Sequence, residues 1–82
     1  MANGEGAAAR LRSRINREGG SSCGGCGWYY PAPLIKVDHS LALSNGGQDI
    51  DSNVWPLCDG PGTNRCHQAK TTAEQRRPRG PH

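Results

Sequence analysis

The chain has 82 residues and a formal net charge of +3, so its length excludes a second domain and allows one small hydrophobic core at most. Only ten residues are Leu, Ile or Val and Phe is absent, which excludes an ordinary aliphatic core as the main source of stability. The modest charge and the four cysteines argue against disorder, so we expect a metal or covalent staple to stabilise the fold.

The first half of the chain predicts a helix, a tight turn and a strand, in that order. Residues 7–18 have Leu11 and Ile15 four apart on one side, and a Gly-Gly pair follows them as a helix stop. Residues 23–27 form a turn that contains two cysteines, and residues 34–39 have the composition of a strand.

The second half predicts a long loop, a second strand and a final helix. The loop spans residues 40–52, and the strand at 53–57 contains a proline that places it at a sheet edge or a bulge. After a Gly/Pro turn, the helix is expected to begin near Asn64 as its N-cap and to end by Arg77. The expected organisation is a basic N-terminal arm with a helix, one central domain and a disordered tail, at residues 1–20, 21–77 and 78–82.

Two cysteine pairs can supply four thiolates to one tetrahedral zinc ion, as Cys23-x2-Cys26 and Cys58-x7-Cys66. The first spacing is typical of structural zinc sites, whereas the second is longer than the usual spacing of about two to four residues. A redox pair of the thioredoxin kind would need a βαβ context, and disulfides would need a secretory signal, which the first residues do not resemble. The sequence therefore favours zinc over both alternatives.

Three further motifs stand in order with the first cysteine pair: Asp38-His39, Asn53-x3-Leu57-Cys58 and Cys66-His67-x2-Lys70-Thr71. Over residues 23–71 this pattern resembles the HNH endonuclease family, particularly the small enzymes encoded by bacteriophages. The resemblance implies a small α+β fold, a ββα-metal (His-Me) finger stapled by a structural zinc and preceded by an N-terminal helix. The stretch between Cys58 and Cys66 is longer than the spacer usual in the family, which leaves open whether both cysteines reach the zinc.

Carried over by position, the resemblance implies a role for each of four residues. Asp38 and His67 hold a catalytic cation, His39 is the general base, and Asn53 steadies the loop that orients His39. The residue chemistry supports this independently, because an imidazole with a pKa near ~6.5 accepts a proton from water at neutral pH, and a divalent cation stabilises the charge that gathers on phosphate. One carboxylate and one imidazole admit Mg²⁺, Mn²⁺, Ni²⁺ or Zn²⁺. Since neighbours on a regular strand point to opposite faces, the strand is expected to end or bulge at Asp38 and His39.

Positive charge is concentrated at both ends of the chain, with +2 over residues 1–20, −3 over 21–59 and +4 over 60–82. Basic ends that flank an acidic centre suit a protein that binds a polyanion next to a cation site, although solvated tails would give the same pattern. We expect phosphate contacts from basic side chains of both helices, namely Arg14, Arg17, Lys70, Arg76 and Arg77. The aromatic residues are expected to complete the core in preference to stacking on bases: Trp28, Tyr29, Tyr30 and Trp55.

The expected activity is that of a metal-dependent DNA endonuclease that hydrolyses phosphodiester bonds, by nicking or by double-strand cleavage, with little base specificity. Similar phage proteins work beside the DNA-packaging terminase, so the resemblance implies the large terminase subunit as a partner and the host bacterial cytoplasm as the location. No segment is long and apolar enough to cross a bilayer. The alternative is a non-catalytic zinc module that binds nucleic acid or a protein partner. Asp38 beside His39 favours the enzyme, because a pure zinc module needs neither side chain.

Overall fold

The computed structural model describes residues 6–76, with side chains through residue 74, and shows a small α+β fold. Within this range, two helices and four short strands follow one another as α1 (Ala7–Glu18), β1 (Gly20–Ser22), β2 (Tyr29–Pro31), β3 (Ile35–His39), β4 (Val54–Cys58) and α2 (Cys66–Arg76). Single 3-10 turns occupy Ala32–Leu34, Leu43–Asn45 and Asp51–Asn53. The predicted tail at residues 78–82 and the predicted helix end at Arg77 lie outside the described residues.

Helix α1 confirms the prediction for residues 7–18. Gly19 ends the helix in the left-handed conformation, at a φ of 89°, and its N–H donates to the Ile15 carbonyl at 2.9 Å. Ile15 is buried, whereas Arg14 and Arg17 are exposed. The helix packs against β1, β3 and β4, so a single apolar side is enough to seat it.

Two antiparallel hairpins contain the strands. In the first, β1 pairs with β2 across the cysteine-containing turn. In the second, β3 pairs with β4 from Ile35 opposite Cys58 to His39 opposite Val54. The second hairpin confirms both predicted strands within one residue. The sequence does not predict the first hairpin, since strands of three residues are too short to give a periodic pattern.

The core lies between α1 and the second hairpin. Its buried side chains are Ile15, Cys23, Ile35, Leu57 and Cys58. The expectation that the aromatic residues fill the core is wrong for Trp28 and Tyr29, which are 67% and 63% exposed, whereas Tyr30 and Trp55 pack at its edge. The physical reason is that the short first hairpin carries Trp28 and Tyr29 outside, while two cysteines take buried positions beside the aliphatic side chains.

Helix α2 begins at Cys66 and packs against β4. Arg65, rather than the predicted Asn64, directly precedes it, and Arg65 is left-handed with a φ of 53°. The Asn64 side chain instead lies near the Cys26 thiol and lowers its pKa. Neither helix of the described chain has the length and apolar character that a membrane crossing requires.

Candidate functional site

The four cysteines converge on one point. Their sulfur atoms all lie within 4.8 Å of one another, and the Sγ atoms of Cys26 and Cys58 are 3.9 Å apart. Ligands at about 2.3 Å from a tetrahedral zinc would be separated by roughly 3.8 Å, so this cluster fits a metal ion with little movement. The long spacer does not prevent Cys58 and Cys66 from meeting, because Gly60 and Gly62 turn the chain back with φ values of 104° and 80°.

Backbone N–H groups surround the sulfur of Cys23. The amides of Gly25, Cys26 and Cys58 donate to Cys23 Sγ at 3.2, 3.4 and 3.3 Å. Burial raises the pKa of this thiol, but the N–H donors outweigh burial and lower the pKa to about 6. The fold therefore stabilises a thiolate at this position, which is the form that binds metal.

The other thiols of the cluster differ in how readily they ionise. The Asn64 side chain, followed by the Trp28 N–H, lowers the pKa of Cys26. Burial raises the pKa of Cys66 to about 12, and hydrogen bonds to Cys23 and Cys58 act in the same direction. The cluster thus accepts some negative charge without help but needs a cation before every sulfur can be a thiolate.

Gly24 and Gly25 allow the turn between Cys23 and Cys26 to pack closely against β4 and α2. A Cβ atom on Gly25 would lie 3.0 Å from the sulfur of Cys66, and a Cβ atom on Gly24 would lie 2.8 Å from the ring of Trp55. Any larger side chain at these positions would push the turn away from α2 and from β4. The Gly-Gly dipeptide between Cys23 and Cys26 is therefore part of what closes the cluster.

The structure brings Asp38 and His67 together, as the sequence predicts for a cation site. Asp38 Oδ1, on β3, lies 3.9 Å from His67 Nε2, on the first turn of α2. Two ligand atoms at about 2.1 Å from one octahedral ion lie about 3 Å apart in cis positions and about 4 Å apart in trans, so this separation admits a shared cation. Both side chains are about three-quarters buried, with 22% and 29% exposure, and are open to solvent on one side.

Asp59 holds the other nitrogen of the same imidazole. Its Oδ2 atom lies 3.3 Å from His67 Nδ1. A carboxylate on one ring nitrogen fixes the tautomer and directs the lone pair of the other nitrogen, here Nε2, toward Asp38. Asp59 belongs to the spacer between Cys58 and Cys66, so the segment that departs from the family pattern contributes to this site.

Lys70 lies at the same carboxylate. Its Nζ atom is 2.8 Å from Asp38 Oδ2 and also pairs with Glu74 one turn further along α2. Burial lowers the pKa of Lys70, but the two carboxylates outweigh burial and the net shift is upward. The ammonium group therefore neutralises Asp38, and the predicted phosphate contact of Lys70 would have to be made from this position.

His39 has a different carboxylate partner. Its Nε2 atom lies 2.9 Å from Asp49 Oδ1, which also accepts the N–H of Ala8 in the first turn of α1. The hydrogen bond from His39, followed by that from Ala8, lowers the pKa of Asp49. Gly6 leaves room for this carboxylate, because a Cβ atom there would lie 1.8 Å from it. His39 is thereby held through Nε2, and Nδ1 is the nitrogen not bonded to Asp49.

Asn53 connects both ends of the neighbouring loop. Its Oδ1 accepts the Leu41 N–H at 2.8 Å, and its Nδ2 donates to the carbonyls of Leu41 and Gln48 at 3.0 and 2.8 Å. Gln48 immediately precedes Asp49, the partner of His39. These contacts are what a residue that steadies the loop around His39 would make.

Strand geometry separates the two histidine sites. β3 ends at His39, as expected, but it is paired regularly up to that residue and does not bulge. Asp38 and His39 therefore point to opposite faces, and each meets its own partners. The structure joins Asp38 with His67 and joins His39 with Asp49, so the two halves of the predicted site lie on either side of one strand.

The remaining predicted contacts concern basic side chains. Arg14 and Arg17 are exposed on α1. The Arg76 side chain and Arg77 lie outside the described part of the structure. Sequence reasoning assigned no role to Asp49 and Asp59, and the signal available for them was only that each is an acidic residue in a turn-rich segment near a histidine motif.

Comparison of the chain with protein-family models, with curated proteins and with solved structures finds no match. The geometry of the two sites and the chemistry of their residues are therefore the basis for assigning a function to this chain.

Proposed function

We propose that the chain is a metal-dependent DNA endonuclease of the HNH type, built as a ββα-metal finger with a structural zinc. The main support is the approach of Asp38 and His67 to 3.9 Å, across β3 and α2. The order of elements agrees with such a finger, since the antiparallel pair β3 and β4 is followed directly by α2.

In this proposal, zinc is held by the four cysteines and positions the second site. Cys66 is the first residue of α2 and His67 is the next, so a metal at the cluster fixes the start of the helix that presents His67. The zinc site is closed, because four protein sulfurs complete a tetrahedron. The reducing cytoplasm that we propose as the location, in a bacterial host if the gene is viral, keeps these thiols available.

Asp38 and His67 would hold the catalytic cation, and Mg²⁺, Mn²⁺, Ni²⁺ and Zn²⁺ all suit one carboxylate and one imidazole. Such a cation, when bound, acts as a Lewis acid toward the phosphate oxygens. His39, held at Nε2 by Asp49, would accept the proton of a water molecule at Nδ1. Because regular pairing puts Asp38 and His39 on opposite faces of β3, this step requires the end of β3 to turn so that His39 faces the phosphate on the cation. The water oxygen bonds to phosphorus as the bond to the 3′ oxygen breaks. The departing oxygen takes a proton from solvent water and His39 returns its proton to solvent, which gives a 5′ phosphate and a 3′ hydroxyl.

The proposed substrate is DNA bound mainly through its backbone, with Arg14, Arg17, Lys70, Arg76 and Arg77 as phosphate contacts. A net charge of +3 concentrated at the chain ends supports a polyanionic substrate. We also propose the large subunit of a phage terminase as a partner, which a pull-down would contradict if it showed neither association nor a change in cleavage.

The direct test is plasmid cleavage, nicking and linearisation being scored together, with and without a chelator. We expect His39→Ala to lower the rate by at least about 10²-fold, the contribution of a general base, without changing the melting curve or DNA binding. Asn53→Ala should also lower the rate, through the loop that it connects. Equal rates for wild type and His39→Ala would contradict the assignment of His39, and cleavage that survives the chelator would contradict the cation site.

A non-catalytic zinc module that binds nucleic acid or protein is the second candidate. The observation that favours it is the Asp38–Lys70 ion pair at 2.8 Å, which neutralises the carboxylate without any cation. This candidate predicts retained DNA binding with no cleavage under any of the four cations, in a protein whose cysteine site is loaded with zinc.

A further inference from the structure

We propose that the groove between α1 and β4 binds the sugar-phosphate backbone of DNA on the side of the protein to which His39 points. The inference rests on the proposed function for the identity of the polyanion. The groove has a volume of ≈ 440 Å³. Its lining consists of three basic residues, four small or apolar residues and one acidic residue that pairs with Arg10, namely Arg10, Arg14, Arg17, Ala7, Leu11, Val54, Pro56 and Asp51.

The arginines of the groove are spaced for successive phosphates. Arg10, Arg14 and Arg17 follow one another by four and three residues, so they share one face of α1. At about 1.5 Å per residue they span about 10 Å of helix axis. One strand of a duplex carries a phosphate about every 3.4 Å of the duplex axis, and its phosphates lie farther apart along the strand itself, so arginines spread over this length can meet neighbouring phosphates.

Two of these cations are available to a ligand. Arg10 pairs with Asp51 at 2.8 Å, but among the residues that the structure describes no ion pair involves Arg14 or Arg17. Arg12, by contrast, donates to the carbonyls of Ala32 and Ile35 and so supports the fold. On α1, Arg12 therefore supports the fold, whereas Arg14 and Arg17 line the groove.

The floor of the groove distinguishes a nucleic-acid backbone from a small anion. Leu11, Val54 and Pro56 form an apolar surface below the arginines, which suits the carbon face of deoxyribose between phosphates. The lining residues described for the groove include no aromatic side chain, so base stacking is not the expected mode.

The groove is continuous with His39, the proposed general base. Val54, in its lining, is the residue directly opposite His39 in the paired strands. Asp49, the partner of His39, bonds to Ala8 at the start of α1, and Ala7 also lines the groove. A DNA strand that passes His39 is thereby directed along α1 toward Arg17, and this continuity favours DNA over an acidic peptide.

The test uses the zinc-loaded full chain and the double variant Arg14→Gln/Arg17→Gln. Binding of a short fluorescent DNA duplex is measured by anisotropy at salt concentrations from about 50 to 200 mM. We expect weaker binding, and a slope of log K against log salt that is shallower by about 1.8, because each lost phosphate contact contributes about 0.9. An unchanged slope would overturn the groove as a DNA site.

Cleavage of bis(p-nitrophenyl) phosphate, a small diester that cannot reach the groove and His39 together, separates this inference from the proposed function. No hydrolysis of this diester or of plasmid by the wild-type protein would contradict the proposed nuclease, whereas wild-type cleavage with an unchanged salt slope would contradict only the groove.

Two controls address charge and occupant. Lys36→Gln removes an exposed cation of β3 that lies outside the groove, and it should change the slope by less than Arg14→Gln does. Equal effects would assign the loss to net charge and overturn the site. Arg14→Lys/Arg17→Lys should restore the slope. A polyglutamate peptide that loses affinity for the double variant while the duplex does not would assign the groove to a protein partner and overturn the DNA assignment.

Discussion

The cysteine cluster and the Asp38–His67 site meet at neighbouring residues of α2, yet they are built in opposite ways. The cluster draws four sulfurs from a turn, a strand end and a helix start, and backbone N–H groups point at its most acidic thiol. The Asp38–His67 site has two candidate ligands, a partly open face, and a lysine beside the carboxylate. Cys66 therefore belongs to a site that is complete, and His67 to one that has positions to spare.

This difference shows how so small a chain could combine stability with the proposed chemistry. A closed site stabilises most when every ligand comes from the protein, whereas a reactive site needs positions for water and substrate. With the two sites side by side, a metal bound at the first would fix the geometry of the second. Three experiments test this division of roles.

The largest effect is expected from Cys66→Ser, compared with its neighbour His67→Ala. Structural zinc contributes on the order of 10 kcal/mol to small domains, which is comparable to the whole stability of a domain, so Cys66→Ser should lose the metal and unfold. His67→Ala should leave the melting temperature nearly unchanged and abolish metal-dependent cleavage. Thermal melts with and without a chelator check this.

Ser22→Ala is the matched control for the cluster, because Ser22 is exposed and directly precedes Cys23. It should change the free energy of unfolding by no more than about 0.5 kcal/mol. A Cys66→Ser protein with a wild-type melting curve would show that the cluster does not hold the fold together, and the contrast between the two sites would disappear.

A smaller effect is expected from Asp59→Asn. The substitution keeps an oxygen that can accept the Gly60 N–H, as Asp59 Oδ1 does at 2.9 Å, but it removes the carboxylate at His67 Nδ1. Loss of such a partner typically costs about 10- to 100-fold in metal affinity. A titration of cleavage rate against Mn²⁺ should show that shift with an unchanged melting curve.

Asp51→Asn is the comparison for this titration, since Asp51 pairs with Arg10 away from His67. It should leave the Mn²⁺ dependence as it is in the wild type. If Asp59→Asn also left the dependence unchanged, the carboxylate would be only a turn-forming residue, and His67 would be oriented by packing alone.

The sequence predicts the elements whose pattern is long enough to be periodic. The spacing of Leu11 and Ile15 gives α1, and residues 34–39 and 53–57 give the second hairpin. The cysteine spacing predicts the cluster, but only the glycine-rich turn in space shows that the long spacer brings Cys58 to Cys66. The left-handed backbone at Gly60 and Gly62 turns the chain back, and the spacing of the cysteines alone does not predict this conformation.

Other features escape sequence reasoning because they depend on tertiary contacts. The conformation of their loops brings Asp49 to His39 and Asp59 to His67. Helix and strand periodicity in the sequence does not predict such contacts. Asn64 is a residue type that is preferred at helix N-caps, yet its side chain lies near the Cys26 thiol and lowers the pKa of that thiol. Trp28 is exposed because its hairpin is too short to bury it. Each case is a competition between a local preference and a partner elsewhere in the fold.

The smallest effect concerns the pH dependence of metal binding at the cluster. Each thiol that is protonated before binding releases one proton, so log K rises by about one per pH unit for each such thiol. Cys66, with its pKa raised to about 12, releases a proton at every accessible pH. Cys23, with its pKa lowered to about 6, releases none above that pH and one below it.

The slope of log K against pH should therefore steepen by about one as the pH falls through about 6, and affinity should fall faster there than at neutral pH. Cobalt titrations, followed by the thiolate-to-metal absorption between about pH 5 and 8, measure this slope. Asn64→Ala offers a comparison, because loss of its hydrogen bond raises the pKa of Cys26 and should weaken binding near neutral pH while leaving the Cys23 step in place. A slope that stays constant across this range would mean that Cys23 is protonated like an ordinary thiol before the metal arrives, and that its backbone N–H donors do not prepare the closed site in advance.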